Sequence, residues 1–310
     1  LPEDIASTSE LNVGVDGEAV EAFLSGVTLA VISPGVPYES SIIGALRRRK
    51  LRILSELECG LSLVEGSVII VTGSNGKSTT VSLIDHILRE LGYSSALCGN
   101  IGVPVMSFVA AQDLMHQFVV VEASSYQLEM AVNLQSRVGV FLNLSDNHLE
   151  RHGSMERYFH CKMKLFQNQA RDGIAVLNAD DPYGVRASGM VAGLLYTFGR
   201  GAPPSWSALH ARVHYQPTEH MDDIEIITGG TKKESFRIEL KGLHLSGLHN
   251  RMNIAAALLS IAGVLGRDIV ERDDLRRAVR SFQGLEHRIE FVPSPIPSML
   301  ILNDSKSTTV

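Results

Sequence analysis

The chain has 310 residues, 45% hydrophobic and 20% charged, with a net charge of −6 at neutral pH. Such a length suits about two domains, and such a composition suits a globular protein with a sizeable core. An acidic chain without a basic stripe argues against nucleic acid as a partner, so a phosphorylated ligand must be held by local positive groups.

Residues 27–33 read as a strand closed by the turn pair Pro34-Gly35. A helix over 40–50 and a short strand over 51–54 follow, and Arg47-Arg48-Arg49-Lys50 is read as solvating that helix's end. Ser55 is placed as the cap of a helix running through Leu63, with Glu58 at capping-box spacing. Strands at 67–72, 94–98, 117–122, 138–143 and 174–178 then alternate with helices at 77–91, 154–170 and 181–189. That alternation predicts an α/β fold with a mostly parallel sheet covered on both faces. Residues 208–240 change to the period of antiparallel strands and predict a small antiparallel subsheet, with Gly229-Gly230 as its hairpin turn. A helix over 250–266 has an almost wholly apolar run from Ile254 to Leu259, expected to be buried. A helix over 271–282 alternates in charge and is expected to face water. Pro293, Pro295 and Pro297 predict a stiff linker, and a strand begins at 300–302.

Cys59, Cys98 and Cys161 stand far apart and form no metal-type pair, so they are read as reduced and buried in a cytosolic protein. No apolar stretch approaches the roughly 20 residues of a membrane span. The first residues carry neither an initiator methionine nor the pattern of a signal peptide, and the last eight follow directly on an apolar strand. Both ends read as cut.

The most informative segment is 69–80, Ile-Ile-Val-Thr-Gly-Ser-Asn-Gly-Lys-Ser-Thr-Thr. A buried strand leads into a loop with Gly73 and Gly76 and then into a helix. Glycines let such a loop turn its N–H groups onto one anion, and the helix start adds the positive end of its dipole. Lys77 is then within reach of a nucleotide's outer phosphates and Ser78 of its magnesium. The eight-residue P-loop pattern wants glycine where Val71 stands, so the match is to a shortened form, and a plain strand-to-helix turn is the competing reading.

Glu122 ends a strand at the edge where the phosphate loop emerges, and is read either as a magnesium ligand or as an ordinary loop acid. Ser124, Ser125 and Gln127 either bond a polar substrate or cap the next helix. His148 follows a buried strand and is either structural or a metal ligand. Lys162 and Lys164 lie on the helix after Gly153 with Tyr158 and Phe166, where charges ordinarily mark a solvated face.

Taken in order, seven motifs resemble the Mur ligases, the ATP-dependent amide ligases of peptidoglycan precursor synthesis. They are Gly-Ser-Asn-Gly-Lys-Ser-Thr, Gly99-Asn100-Ile101-Gly102, Glu122-Ala-Ser-Ser-Tyr-Gln-Leu-Glu129, Asn147-His-Leu-Glu-Arg-His-Gly153, Leu248-His-Asn-Arg-Met-Asn253, Glu286-His-Arg288 and Asn303-Asp-Ser-Lys306. The resemblance implies a partial Rossmann-like uridine-nucleotide domain over 1–55. It further implies a central P-loop ATP-binding domain over 56–290 and the start of a C-terminal amino-acid-binding domain over 291–310, with the first and last domains incomplete.

The resemblance also implies roles. Gly73, Ser74, Asn75, Gly76, Lys77, Ser78 and Thr79 wrap the ATP phosphates. Asn253, Arg288, Asp304 and Lys306 contact ATP. Ser33, Gly35, Asn100, Ser124, Gln127 and His148 contact the muramoyl-peptide substrate. Ser78, Glu122, His148 and Lys162 hold two magnesium ions, Lys162 as a carbamylated lysine, which reverses the solvated-face reading. Lys77, His148 and Lys162 are the catalytic set. Asn147 departs from the aspartate many members carry there. The implied reaction joins UDP-N-acetylmuramoyl-L-alanine and D-glutamate through an acyl phosphate, in a cytoplasmic monomer with no membrane insertion and no nucleic-acid partner. A sister ligase adding another amino acid, a folylpolyglutamate-type ligase and a non-catalytic P-loop nucleotide-binding protein are the competing readings.

Overall fold

The computed structural model describes residues 24–111, 115–216, 221–229, 234–240, 243, 245, 247–286, 290–292, 296, 299 and 301–305. Two short strands, β1 (Leu29–Ile32) and β2 (Arg52–Ser55), pair in parallel around the helix Ser41–Arg48. Leu24, Ile32, Ile43, Ala45 and Leu46 close a small core there, and Met130 from the main body completes it.

The main body is one sheet of nine strands. They are β3 (Ser67–Thr72), β4 (Ser95–Gly99), β5 (Phe118–Glu122), β6 (Val138–Phe141), β7 (Ile174–Asn178), β8 (Leu194–Gly199), β9 (Leu209–Gln216), β10 (Met221–Thr228) and β11 (Ser235–Glu239). The order is β11-β10-β9-β8-β7-β6-β3-β5-β4, parallel from β4 through β9 and antiparallel from β9 to β11. The expected antiparallel subsheet is therefore an extension of the parallel one. The joint is β8, whose apolar run Leu-Leu-Tyr-Thr-Phe-Gly is a strand beyond those expected above and pairs in parallel with both β7 and β9.

Alternation along β3 explains the two cores. Ile69 and Val71 face one way, into a core with the helices Lys77–Glu90 and Leu248–Leu265. Ile70 faces the other, against the helices Glu56–Leu61 and Met155–Gln167. Helix Leu248–Leu265 is long and apolar enough to cross a membrane, but it packs against the sheet and the helix Lys77–Glu90. The residues from Ile254 to Leu259 are fully buried there, as expected.

The chain crosses over β3 on its way from β5 to β6, so the carboxyl ends of β3, β5 and β6 open a crevice of the kind that holds ligands in open α/β sheets. The loop after β3, Glu122 at the end of β5 and residues 143–148 after β6 all fall there.

Several expectations are corrected. Glu58 does not complete a capping box: Ser55 Oγ accepts from Glu58 N–H at 3.0 Å, but the Glu58 carboxylate accepts from the backbone of Val132 and Asn133 instead. The helix at 271–282 is the shorter Asp273–Ser281, and Leu275, Ala278 and Val279 are buried, so only part of it faces water. Cys98 is buried, whereas Cys59 and Cys161 are half-buried; all three are free thiols. Strand β13 (Ile301–Asn303) pairs antiparallel with β12 (Glu290–Val292). The proposed proline linker and Gly230 lie outside the described residues.

Candidate active site

The phosphate loop is built as its sequence suggests. Strand β3 ends at Thr72, the chain turns through 73–76, and the helix starts at Lys77. Gly76 sits at φ +85°, and a Cβ there would fall 2.3 Å from Asn253 Oδ1. Glycine is thus required twice, by its backbone conformation and by the approach of Asn253 from the helix Leu248–Leu265. No side chain caps the helix Lys77–Glu90. Its first turn presents N–H groups that have no intrahelical acceptor.

Residues that the sequence reading did not single out lock this loop. Asn143 Oδ1 accepts from Asn75 N–H at 2.9 Å, and Asn143 Nδ2 donates to Asn75 O at 3.1 Å. Ser74 Oγ accepts from Ser145 N–H at 3.0 Å and lies 3.2 Å from the Tyr158 hydroxyl. Ser74 N–H donates to Asn143 O at 3.0 Å. The N–H groups of Ser74 and Asn75 are therefore taken up by the segment after β6, whereas the first N–H groups of the helix Lys77–Glu90 have no intrahelical acceptor.

Lys77 folds back over the loop, with Nζ donating to Gly73 O at 3.1 Å and Ser74 O at 2.9 Å. Lys162 approaches from the helix Met155–Gln167. Its Nζ donates to the same Gly73 O at 2.8 Å and to Thr72 Oγ1 at 3.3 Å, 4.8 Å from the centre of the Tyr158 ring. Lys162 is 1% exposed, which overturns the reading of a solvated face. Burial, and secondarily the charge of Lys77, hold its pKa well below the ordinary lysine value. Lys164, on the same helix, is partly buried and donates to Glu129 O.

Glu122 is buried at 2% exposure. Its Oε1 accepts from Asn100 Nδ2 at 2.8 Å, and its Oε2 is buried without a hydrogen-bond partner. An unpaired carboxylate oxygen in such a position costs stability and fits a cation that the oxygen would hold. His148 sits at φ +55°, a strained backbone conformation for a non-glycine residue. Its Nδ1 lies 3.2 Å from the Tyr126 hydroxyl and 3.7 Å from Glu150 Oε1. Ser74 through Ser78, Asn100, Glu122, Asn147, His148 and residues 284–286 line one cleft of about 910 Å³.

The structure does not bring every expected residue to this cleft. Ser124 and Gln127 form a complete capping box for the helix Ser125–Glu129 and bond each other. Neither lines the cleft, nor does Thr79, which is buried behind the loop. Ser33 and Gly35 are exposed in a turn closed by Val36 N–H to Ser33 O at 3.0 Å. Asp304 is exposed after β13 and is not among the cleft's lining residues. Arg288 and Lys306 lie outside the described residues. Arg151, absent from the expectations, joins the two parts of the molecule: Nη2 donates to Val36 O at 3.0 Å and to Glu129 Oε2 at 2.6 Å.

A glycine loop between a central strand and a helix on a mostly parallel sheet, with Glu122 and His148 lining its cleft and Lys162 buried behind it against Gly73 O, defines an α/β fold of the P-loop class. The Mur ligase middle domain, as a family, matches residues 71–261, and the chain belongs to the Mur ligase family. The chain is similar to a UDP-N-acetylmuramoylalanine--D-glutamate ligase of Alkaliphilus oremlandii, 35% identical over 93% of this chain and 60% of that protein. A second enzyme of the same name, from Geobacter sp. strain M21, is 32% identical over 100% of this chain and 65% of its own length. The chain thus spans 60% and 65% of these two curated relatives. Among solved structures, MurF of Acinetobacter baumannii superposes with a TM-score of 0.58 at 21% identity, covering 79% of this chain and 52% of that one. That likeness concerns the fold alone.

Proposed function

We propose that the full product of this gene is an ATP-dependent ligase that joins D-glutamate to UDP-N-acetylmuramoyl-L-alanine in peptidoglycan precursor synthesis, in the cytoplasm. The observation that carries this reading is the convergence of Lys77 and Lys162 on Gly73 O beside the orphaned oxygen of Glu122. The names of the relatives support the choice of amino acid. Residues 1–55 are read as the back of a uridine-nucleotide domain, 56–290 as the ATP-binding domain and 291–310 as the threshold of the amino-acid domain. The separate β1–β2 sheet and the family match over 71–261 support that division.

In this reading the substrate's alanine carboxylate attacks the γ-phosphorus of ATP, ADP leaves, and an acyl phosphate forms. Two anions must meet, so positive groups have to offset their repulsion. Lys77 supplies a fixed cation, and the helix start at Lys77 supplies N–H donors. The amine of D-glutamate then attacks the acyl carbon, loses a proton, and inorganic phosphate leaves. Ser78, Glu122, His148 and a carbamylated Lys162 would hold magnesium, whose role is to offset phosphate charge. The unpartnered Glu122 Oε2 fits that role. A depressed pKa gives Lys162 the neutral amine that carbon dioxide requires, and a carbamate would turn it into an anion. Asn100 enters the reading as the residue that orients Glu122, in addition to its expected contact with substrate.

The test is phosphate release from ATP by the full gene product, with UDP-N-acetylmuramoyl-L-alanine and a panel of amino acids. D-glutamate should support release well above every other amino acid. Release that needs no muramoyl substrate would favour the P-loop binding-protein reading.

A further inference from the structure

A second cleft, of about 700 Å³, lies on the flank of the helix Met155–Gln167 away from the phosphate loop. Glu129, His152 and Cys161 meet on its wall, one ligand atom from each lying within 4.8 Å of the others. We propose that these three side chains form a binding site for a thiophilic divalent cation of the zinc class, distinct from the magnesium site.

The geometry of the donors points to such an ion. Cys161 Sγ lies 3.7 Å from His152 Nδ1. With bonds of about 2.3 Å to sulfur and about 2.0 Å to nitrogen, a tetrahedral zinc separates its two donors by about 3.5 Å. The three elements that carry the ligands are the helices Ser125–Glu129, Leu149–His152 and Met155–Gln167. The partners beyond the ligands are also of the kind that metal sites use. His152 Nε2 lies 2.9 Å from Ser125 Oγ. The tautomer in which Nε2–H donates to that hydroxyl leaves the Nδ1 lone pair toward Cys161. Arg151 holds Glu129 through Oε2 alone, by Nε at 3.1 Å and Nη2 at 2.6 Å, so Oε1 remains to coordinate. His152 is clamped in place by a stacked Tyr158 ring 5.0 Å away.

Sulfur, nitrogen and one carboxylate are a donor set for zinc and poor for magnesium. Binding forms an Sγ–metal bond and releases the thiol proton to solvent. Thiolate, carboxylate and dication then sum to zero charge, on a wall where Arg151, Arg157 and Lys164 stand beside Glu39 and Glu150. Water in the cleft is the fourth ligand, as in open zinc sites. Because the ion would bridge three separate helices, it stabilises the fold by mass action.

The test is titration of the metal-free 310-residue chain with Co2+ alone, read by absorption, followed by displacement with Zn2+. One equivalent should bind with a thiolate-to-cobalt charge-transfer band and the intense visible bands of a tetrahedral centre. Cys161→Ser should abolish the charge-transfer band and weaken binding by about 100-fold, whereas Cys59→Ser should keep both. Glu129→Gln should weaken binding by about 10-fold, and Zn2+ should raise the Tm of the unmutated chain but not of Cys161→Ser. Absence of a thiolate band, or a band that survives in Cys161→Ser and in Cys161→Ala, would overturn the proposal.

Discussion

Lys77 and Lys162 share one acceptor, the carbonyl oxygen of Gly73, which they reach at 3.1 and 2.8 Å from the helices Lys77–Glu90 and Met155–Gln167. Lys162 is the buried one: loss of water around its ammonium, and after that the nearby charge of Lys77, lower its pKa.

This relationship sets a pH dependence. The folded-state pKa of Lys162 is depressed below its unfolded value near 10.5. Between those two values the unfolded chain binds more protons, so stability rises as pH rises through that window. In carbon-dioxide-free buffer, the Tm of the wild type should therefore gain on that of Lys162→Met as pH rises toward the unfolded value. A difference between the two proteins that is flat with pH would contradict the depressed pKa.

Glu122→Gln keeps the shape of the side chain and the contact with Asn100 but removes the charge. Turnover should fall by about 100-fold or more, and the Mg2+ concentration needed should rise. Asn100→Ala frees Glu122 Oε1 from its only described donor. Apparent Mg2+ affinity should fall by about 10- to 100-fold. An effect of Asn100→Ala on the KM for the muramoyl substrate alone would show that orienting Glu122 is not its job.

Gly76→Ala places a methyl 2.3 Å from Asn253 Oδ1 at φ +85°. The backbone alone costs about 1–2 kcal/mol, and the clash adds to that. Denaturant unfolding should show the loss, and adding Asn253→Ala should recover the clash but not the backbone cost. Strict additivity of the two substitutions would mean that they do not touch.

Ser124→Ala removes the cap of the helix Ser125–Glu129. About 1 kcal/mol of stability should go with it, measured by urea denaturation. A change in substrate KM with stability untouched would instead restore Ser124 to the substrate contacts implied by the family.

Much of the fold was legible because strands buried on both faces announce themselves. The apolar runs of β3 and β7 gave bounds that the structure reproduces at 67–72 and 174–178. The loop from Gly73 to Ser78 was legible because glycine spacing and a following lysine have few other uses. From its residue type alone Lys162 reads as a solvated charge, and only the family resemblance reverses that. The helical spacing to Tyr158 and Phe166, four residues to either side, puts it on the apolar stripe, and both neighbours are buried with it. The roles of Asn143 and Arg151 were not legible, because each depends on a partner far along the chain, Asn75 for one and Val36 for the other. Ser124 and Gln127 show the opposite case: of the two roles their sequence allows, substrate contact or helix cap, the local one is seen, a complete capping box at their own helix start.

The transfer of a phosphoryl group onto a carboxylate is open to direct measurement with isotope. The full gene product is given ATP, D-glutamate and UDP-N-acetylmuramoyl-L-alanine whose alanine carboxylate carries oxygen-18, and the released phosphate is examined by mass spectrometry. An acyl phosphate requires one labelled oxygen to appear in the inorganic phosphate, because the bond broken in the second step lies between carbon and that oxygen. Phosphate released without label would mean that water, not the carboxylate, attacks the nucleotide in the cleft formed by Lys77, Glu122 and His148.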